Sequence, residues 1–318
     1  MSTSGSVSFS MDRNDLCIAA LRTSGMLGLE QAVCPAALLS WSSLKLNQLV
    51  KHWENSGYHL WNRAHATVFL NPSQDKYSLG TGGDRATDTF VQTTITATAL
   101  ATATTITATS VTGMSVNDNI GVCLDANTTQ WTTISAINTS TLVITLAVAL
   151  TSQATLGATV FTYTTQMLRP LAIETATIRN VALIDRMLGY PKSREEYFNY
   201  PLKYTAGTVV SYYYNPNPQH STGDTGTLHV YQPPTLCNET IQIEYVRSIQ
   251  DFDAATDSPD LPQRWLLALE YNLAVLMCSA VGKETKKASL MTEATKYLQD
   301  ATASDYETAD VFFIPGSN

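Results

Sequence analysis

The chain has 318 residues, a formal net charge of −8, 44% hydrophobic residues and only 14% charged ones. This length predicts two domains or one large one, with enough apolar content for a real core. The charge balance excludes a protein that wraps nucleic acid, which needs clustered Lys and Arg, and so few charges point to neutral surface buried in an assembly.

Residues 1–9 are small and polar. Ser10 is expected to cap a first helix, with Asp12 and Asp15 near the positive end of its dipole. Gly25 and Gly28 mark its end. Pro35 opens a longer helix with apolar positions at Leu38, Leu39, Leu44, Leu46, Leu49, Val50 and Trp53, and Gly57 is its expected cap. A hairpin is expected from Leu60 through Tyr77, turning at Asn71-Pro72-Ser73. The loop Thr81-Gly82-Gly83-Asp84 follows.

Charge then disappears. Between Arg85 and Arg169 there is no Lys, Arg, His or Glu, and the acids are Asp88, Asp118 and Asp125. Thr, Ala, Ser, Val and Ile dominate. Five β-branched runs lie near 105–107, 120–124, 131–134, 142–146 and 160–163, separated by short turns. The stretch reads as an inserted β-rich domain at 87–165, within a domain built from 1–86 and 166–318. The Thr/Ala segment 93–109 reads as linker plus an edge strand.

Beyond the insert, Ser193-Arg194-Glu195-Glu196 predicts a capping box and a short helix. Strands are expected near 208–214, 226–231 and 239–247. Asp260 and Pro262 start a helix over about 261–281 that is apolar nearly all round and therefore buried on most sides. A polar amphipathic helix follows, ending near Tyr306. The tail Val311-Phe312-Phe313-Ile314-Pro315 is apolar.

Catalytic patterns are missing. There is no GxxxxGK[ST], HExxH or GxSxG. Cys17, Cys34, Cys123, Cys237 and Cys278 are odd in number and widely spaced, so free thiols are expected rather than a disulfide framework. His52, His59, His65, His220 and His229 are scattered. Asp251, Asp253, Asp257 and Asp260 lack the spacing and central Gly of a calcium loop and read as a solvated turn. Gly80-Thr81-Gly82-Gly83 has no helix behind it to hold a phosphate. Tyr212-Tyr213-Tyr214 reads as a packed edge strand rather than a stacking platform. No catalytic residue, metal or cofactor is expected. The first fifteen residues have no apolar core and no run reaches about 18 apolar residues, so neither a secretory leader nor a membrane-spanning helix is expected.

The order of landmarks resembles a known family. These are Met11-Asp12-Arg13-Asn14-Asp15-Leu16-Cys17-Ile18-Ala19-Ala20-Leu21-Arg22, then Leu49-Val50-Lys51-His52-Trp53-Glu54-Asn55-Ser56-Gly57 and Leu60-Trp61-Asn62-Arg63. Tyr77-Ser78-Leu79-Gly80, Leu168-Arg169-Pro170 and Ser193-Arg194-Glu195-Glu196-Tyr197 follow. Last come Ile243-Glu244-Tyr245-Val246-Arg247, Asp251-Phe252-Asp253 and Asp260-Leu261-Pro262-Gln263-Arg264-Trp265. They are similar to the head-to-tail adaptor (tail accessory, head completion) proteins of tailed, mainly short-tailed, bacteriophages. The likeness covers most of the chain outside 87–165.

The resemblance implies an α+β fold: a mainly helical adaptor domain with a small β portion, carrying an antiparallel β-sandwich or barrel-like insert. It implies a structural virion protein at the head–tail junction, assembled in the host cytoplasm. Its partners would be the portal protein, a tail or nozzle protein, and itself as a homo-oligomeric ring of twelve. Packaged DNA would pass through the lumen without sequence-specific binding, and no membrane is involved. Val311, Phe312, Phe313, Ile314 and Pro315 are expected either to dock on the portal or to fold back. A rival reading is a tail or receptor-binding component whose insert binds host glycan. It would want aromatic-rich loops, and the insert's Phe90, Trp131, Phe161 and Tyr163 do not cluster in one.

Overall fold

The computed structural model describes residues 5–6, 8–55, 60–189, 193–216 and 224–305. The chain divides into two compact units, Met1–Asn62 with Ile249–Asn318, and Arg63–Ser248.

The first unit is helical. It contains α1 (Arg13–Thr23), α2 (Ala36–Glu54), α4 (Leu266–Ala280) and α5 (Glu284–Ala303); the short α3 (Arg194–Asn199) belongs to the other unit. Asp12, not Ser10, caps α1: its carboxylate accepts the Asp15 N–H at 2.8 Å. Gly25, at φ +70°, turns the chain left-handed, and the Met26 N–H reaches back to the Leu21 carbonyl at 3.0 Å. Pro35 precedes α2 as expected; Gly57 lies outside the described residues.

α4 packs against α1, α2 and α5. Trp265, Leu269, Leu273 and Met277 are buried with Leu16, Leu21, Leu46 and Val50. Trp265 meets Trp53 and Trp61 edge-on, at 5.7 and 6.2 Å between ring centroids. The segment leading to α4 is tied to α2. The Asn47 side chain exchanges two hydrogen bonds with the Phe252 backbone, and Glu54 accepts the Ile249 N–H at 3.0 Å.

Among the described residues, the second unit holds three antiparallel sheets. Its strands are β1 (Arg63–Phe69), β2 (Lys76–Leu79), β3 (Ala86–Thr87), β4 (Val91–Thr94), β5 (Thr105–Thr107), β6 (Asn119–Leu124) and β7 (Thr128–Asn138). They continue as β8 (Val143–Leu146), β9 (Thr159–Tyr163), β10 (Ala172–Arg179), β11 (Asp185–Met187), β12 (Ser211–Asn215), β13 (Gly226–Tyr231) and β14 (Thr240–Val246). A five-stranded sheet, β11-β10-β14-β1-β3, and a three-stranded sheet, β12-β13-β2, share one core. Val68, Ala176, Ile241, Ile243 and Tyr245 come from the first, and Tyr77, Leu79, Tyr212, Leu228 and Val230 from the second.

Two expectations are overturned here. The fold is not mainly helical: the described residues hold fourteen strands against five α-helices, and eight strands lie outside 91–163. β10, Ala-Ile-Glu-Thr-Ala-Thr-Ile-Arg, is a half-buried alternating strand that the helical reading of 166–318 passed over. Nor do β1 and β2 form a hairpin. β1 sits between β14 and β3, while β2 pairs with β13 in the other sheet. The turn at Asn71–Ser73 therefore carries the chain from one sheet to the next.

The third sheet, β4-β9-β6-β7-β8-β5, takes all its strands from residues 91–163. The Thr/Ala stretch supplies both of its edges, and the sheet curls until they meet. Ile95 bridges Ala108, and the Thr109 N–H reaches the Thr94 carbonyl at 2.8 Å. Joined edges leave fewer unpaired backbone groups. Ile106, Ile120, Val122, Ile134, Ile144 and Val160 fill the interior. Trp131 lies across Gly121, where a Cβ would sit 2.8 Å from the indole.

Phe69, at the end of β1, joins this sheet to the five-stranded one. Its ring centroid lies 5.4 Å from Phe90, 5.0 Å from Trp131, 4.9 Å from Phe161 and 5.8 Å from Tyr163. Arg85 donates to Asn119 at 2.8 Å and to the Tyr163 hydroxyl at 3.1 Å, with its guanidinium over Trp131. Phe69→Ala would open a cavity in this shared core. Its expected cost is about 3–5 kcal/mol, read as a lowered melting temperature, and an unchanged one would contradict the shared core.

Candidate functional site

The sequence candidates are mostly explained by local structure. Among the described residues no group of three or more His, Cys, Asp and Glu could hold a metal ion. Nor, among them, is any helix long and apolar enough to cross a membrane. Asp257 accepts the N–H groups of Asp253 and Ala254 at 2.8 and 2.6 Å, and Asp260 accepts that of Gln250 at 3.2 Å. Asp251 faces Lys51 at 3.1 Å. The acidic cluster thus closes a turn.

The Gly80–Gly83 loop is also satisfied from within the chain. Asp84 accepts the Ser78 N–H at 2.7 Å, and Gln166 accepts that of Gly82 while donating to the Gly83 and Asp84 carbonyls. His59, His220 and Val311, Phe312, Phe313, Ile314 and Pro315 lie outside the described residues. The insert's four aromatic rings pack around Phe69 and form no open platform.

Strand alternation sorts the three tyrosines of β12. Tyr212 and Tyr214 turn toward the core and donate to the Glu174 and Pro170 carbonyls, at 3.3 and 2.6 Å. Burial raises both phenols, Tyr212 to about 12. Tyr213 faces the other way, stacked on His229 at 5.4 Å and beside Tyr197. Burial lowers the His229 pKa, Lys76 adds to this, and Asp75 opposes it. The Ser193–Glu196 capping box forms in both directions and sets α3 so that Tyr197 is buried. Beyond it Phe198, Leu202 and Tyr204 are exposed, and the Lys203 ammonium lies 5.4 Å from the Phe198 ring centroid.

The most distinctive surface is the β10–β11 hairpin, which sequence reasoning missed. Val181, Leu183, Ile184 and Met187 are 51–62% exposed on or next to its turn. The turn is firmly built. The Asn180 carboxamide oxygen accepts the N–H groups of Ala182 and Ile184, both at 3.0 Å. Arg179 grips Asp185 with two hydrogen bonds of 2.7 and 2.8 Å, which holds that carboxyl below its usual range.

β11 lies at the edge of its sheet. Beside it runs a groove of about 400 Å³, lined by Ile178, Ile184, Arg186, Thr208 and Glu239 among others. Burial raises the Glu239 carboxyl, against the pull of Arg186. A turn rich in exposed apolar residues is thus held in one conformation by an ion pair and an Asx-type bond. The available signal was Val181, Leu183 and Ile184 between Asn180 and Asp185, where a solvated turn would be polar throughout.

No protein-family model matches the chain, and no curated protein matches it.

Proposed function

We propose that this chain is a structural virion protein, a head-to-tail adaptor with no catalytic role. Twelve copies would form a ring beneath the portal, continue the DNA channel, retain the packaged genome and give the tail a docking platform. The observation that carries the assembly reading is the braced apolar hairpin at 179–187. In a chain with 14% charged residues, such a surface favours repeated protein contacts. Its partner is taken to be the neighbouring copy, because a ring needs a head-to-tail contact between two different faces. Many equal contacts then add through avidity. The spaced landmarks described above support the phage assignment. The absence of any Lys or Arg between Arg85 and Arg169 also suits a surface past which DNA slides without being held.

Val311–Pro315 would dock on the portal, with Phe312 and Phe313 as anchors, since buried aromatics often dominate an interface. Removing residues 309–318 should leave the melting temperature nearly unchanged and abolish co-sedimentation with the portal. Unimpaired co-sedimentation would overturn the anchoring role, and a large fall in melting temperature would place the segment on its own fold.

A further inference from the structure

We propose that Cys123 and Cys237 are a redox-responsive pair that closes to a disulfide, stapling β6 of the six-stranded sheet to the segment entering β14. The two residues are 114 positions apart in sequence and are buried in the same aromatic-walled cluster with Phe69, Phe161 and Tyr163. The Cys123 Sγ lies 3.4 Å from the Cys237 carbonyl oxygen. Thr129 spans the pair: its hydroxyl donates to that carbonyl at 3.0 Å and lies 3.6 Å from the Cys123 Sγ. Asn127 clamps the Cys237 side, accepting the Cys237 N–H at 3.2 Å and donating to the Thr235 carbonyl at 2.7 Å. The backbones carrying both sulfurs are therefore held together before any bond forms, which a native disulfide requires.

The thiols also differ in character. The neighbouring Cys123 side chain, with the help of Thr129, lowers the Cys237 thiol against the effect of burial. The Cys237 side chain and burial push the Cys123 thiol up. Cys237 is thus the first to ionise and the attacking sulfur.

The co-reactant is a small disulfide such as oxidised glutathione. The Cys237 thiolate attacks one of its sulfurs, its S–S bond breaks, and one small thiolate leaves. Cys123 then gives up its proton, and its sulfur attacks the Cys237 sulfur of the mixed disulfide, expelling the second small thiolate. Two protein thiols lose two electrons and two protons in all, and the small disulfide becomes two thiols. Because both cysteines are buried, entry of the reagent requires local opening of the segment before β14.

The test uses the full chain without denaturant. Incubation with oxidised glutathione, thiol blocking and non-reducing digestion should yield a linked peptide pair containing Cys123 and Cys237. The melting temperature should rise by roughly 5–10 °C, as closing a long loop predicts, and dithiothreitol should reverse the rise. Cys17, Cys34 and Cys278 should be recovered as blocked free thiols. Cys237→Ser and Cys123→Ala should each lose both the linked peptide and the shift. Free thiols at both positions, a glutathione adduct persisting on Cys237, linkage only after denaturation, or linkage without a thermal shift would each overturn the proposal.

Discussion

Leu269→Asp is expected to unfold the helical unit, with a loss of about 4 kcal/mol or more. Leu269 is fully buried in α4, the helix that touches α1, α2 and α5. A carboxylate there has no partner in the surrounding cluster of Leu16, Leu46, Trp265 and Leu273, so it must either take up a proton or expel the helix. The residue two positions earlier supplies the control. Leu267 is 45% exposed on the same helix, and Leu267→Asp should change stability by no more than about 0.5 kcal/mol. Far-UV circular dichroism and thermal melts separate the two. A fully folded Leu269→Asp protein would show that α4 is not the centre of its unit.

The double substitution Ile184→Asp with Met187→Asp should abolish self-assembly while leaving the monomer folded. Both side chains are 62% exposed, so neither contributes much to the core of the unit that carries them. Asn180 and the Arg179–Asp185 pair still build the turn, because neither depends on residues 184 or 187 beyond the backbone. What changes is the apolar tip. If each interface contact is worth about 2 kcal/mol or more, two carboxylates in every contact remove any avidity in the ring. Sedimentation velocity should show monomers with a near-wild-type melting temperature. Intact assemblies in the double variant would take the hairpin out of the interface.

Much of the local structure was legible because its causes are local. Ser193 and Glu196 announce a capping box, and both of its hydrogen bonds form. Trp265, Leu269 and Leu273 announce a buried helix by composition alone. The β-branched runs at 105–107, 120–124, 131–134, 142–146 and 160–163 fall on strands, apart from Leu142, which lies in the turn before β8.

What the sequence hid is set by partners far along the chain. Asn71-Pro72-Ser73 looks like a hairpin turn, yet β1 and β2 do not pair with each other: β1 pairs with β14 and β2 with β13, each more than 140 residues downstream. β10 alternates apolar and polar residues over eight positions, but its role as a central strand depends on β14 and β11. The cluster around Phe69 gathers residues 69, 90, 131, 161 and 163, and no window of sequence contains more than two of them closely spaced. The apolar hairpin tip was readable as an anomaly of composition. Its bracing by Arg179 and Asp185 was not.

The proposed assembly is a ring of identical copies seated on a portal. Electron microscopy of the purified chain, alone and mixed with its portal protein, measures this most directly through particle symmetry and mass. Closed twelve-fold rings, twelve times the mass of the chain and capping the portal, are the expected result. Particles that stay monomeric with and without the portal would contradict it.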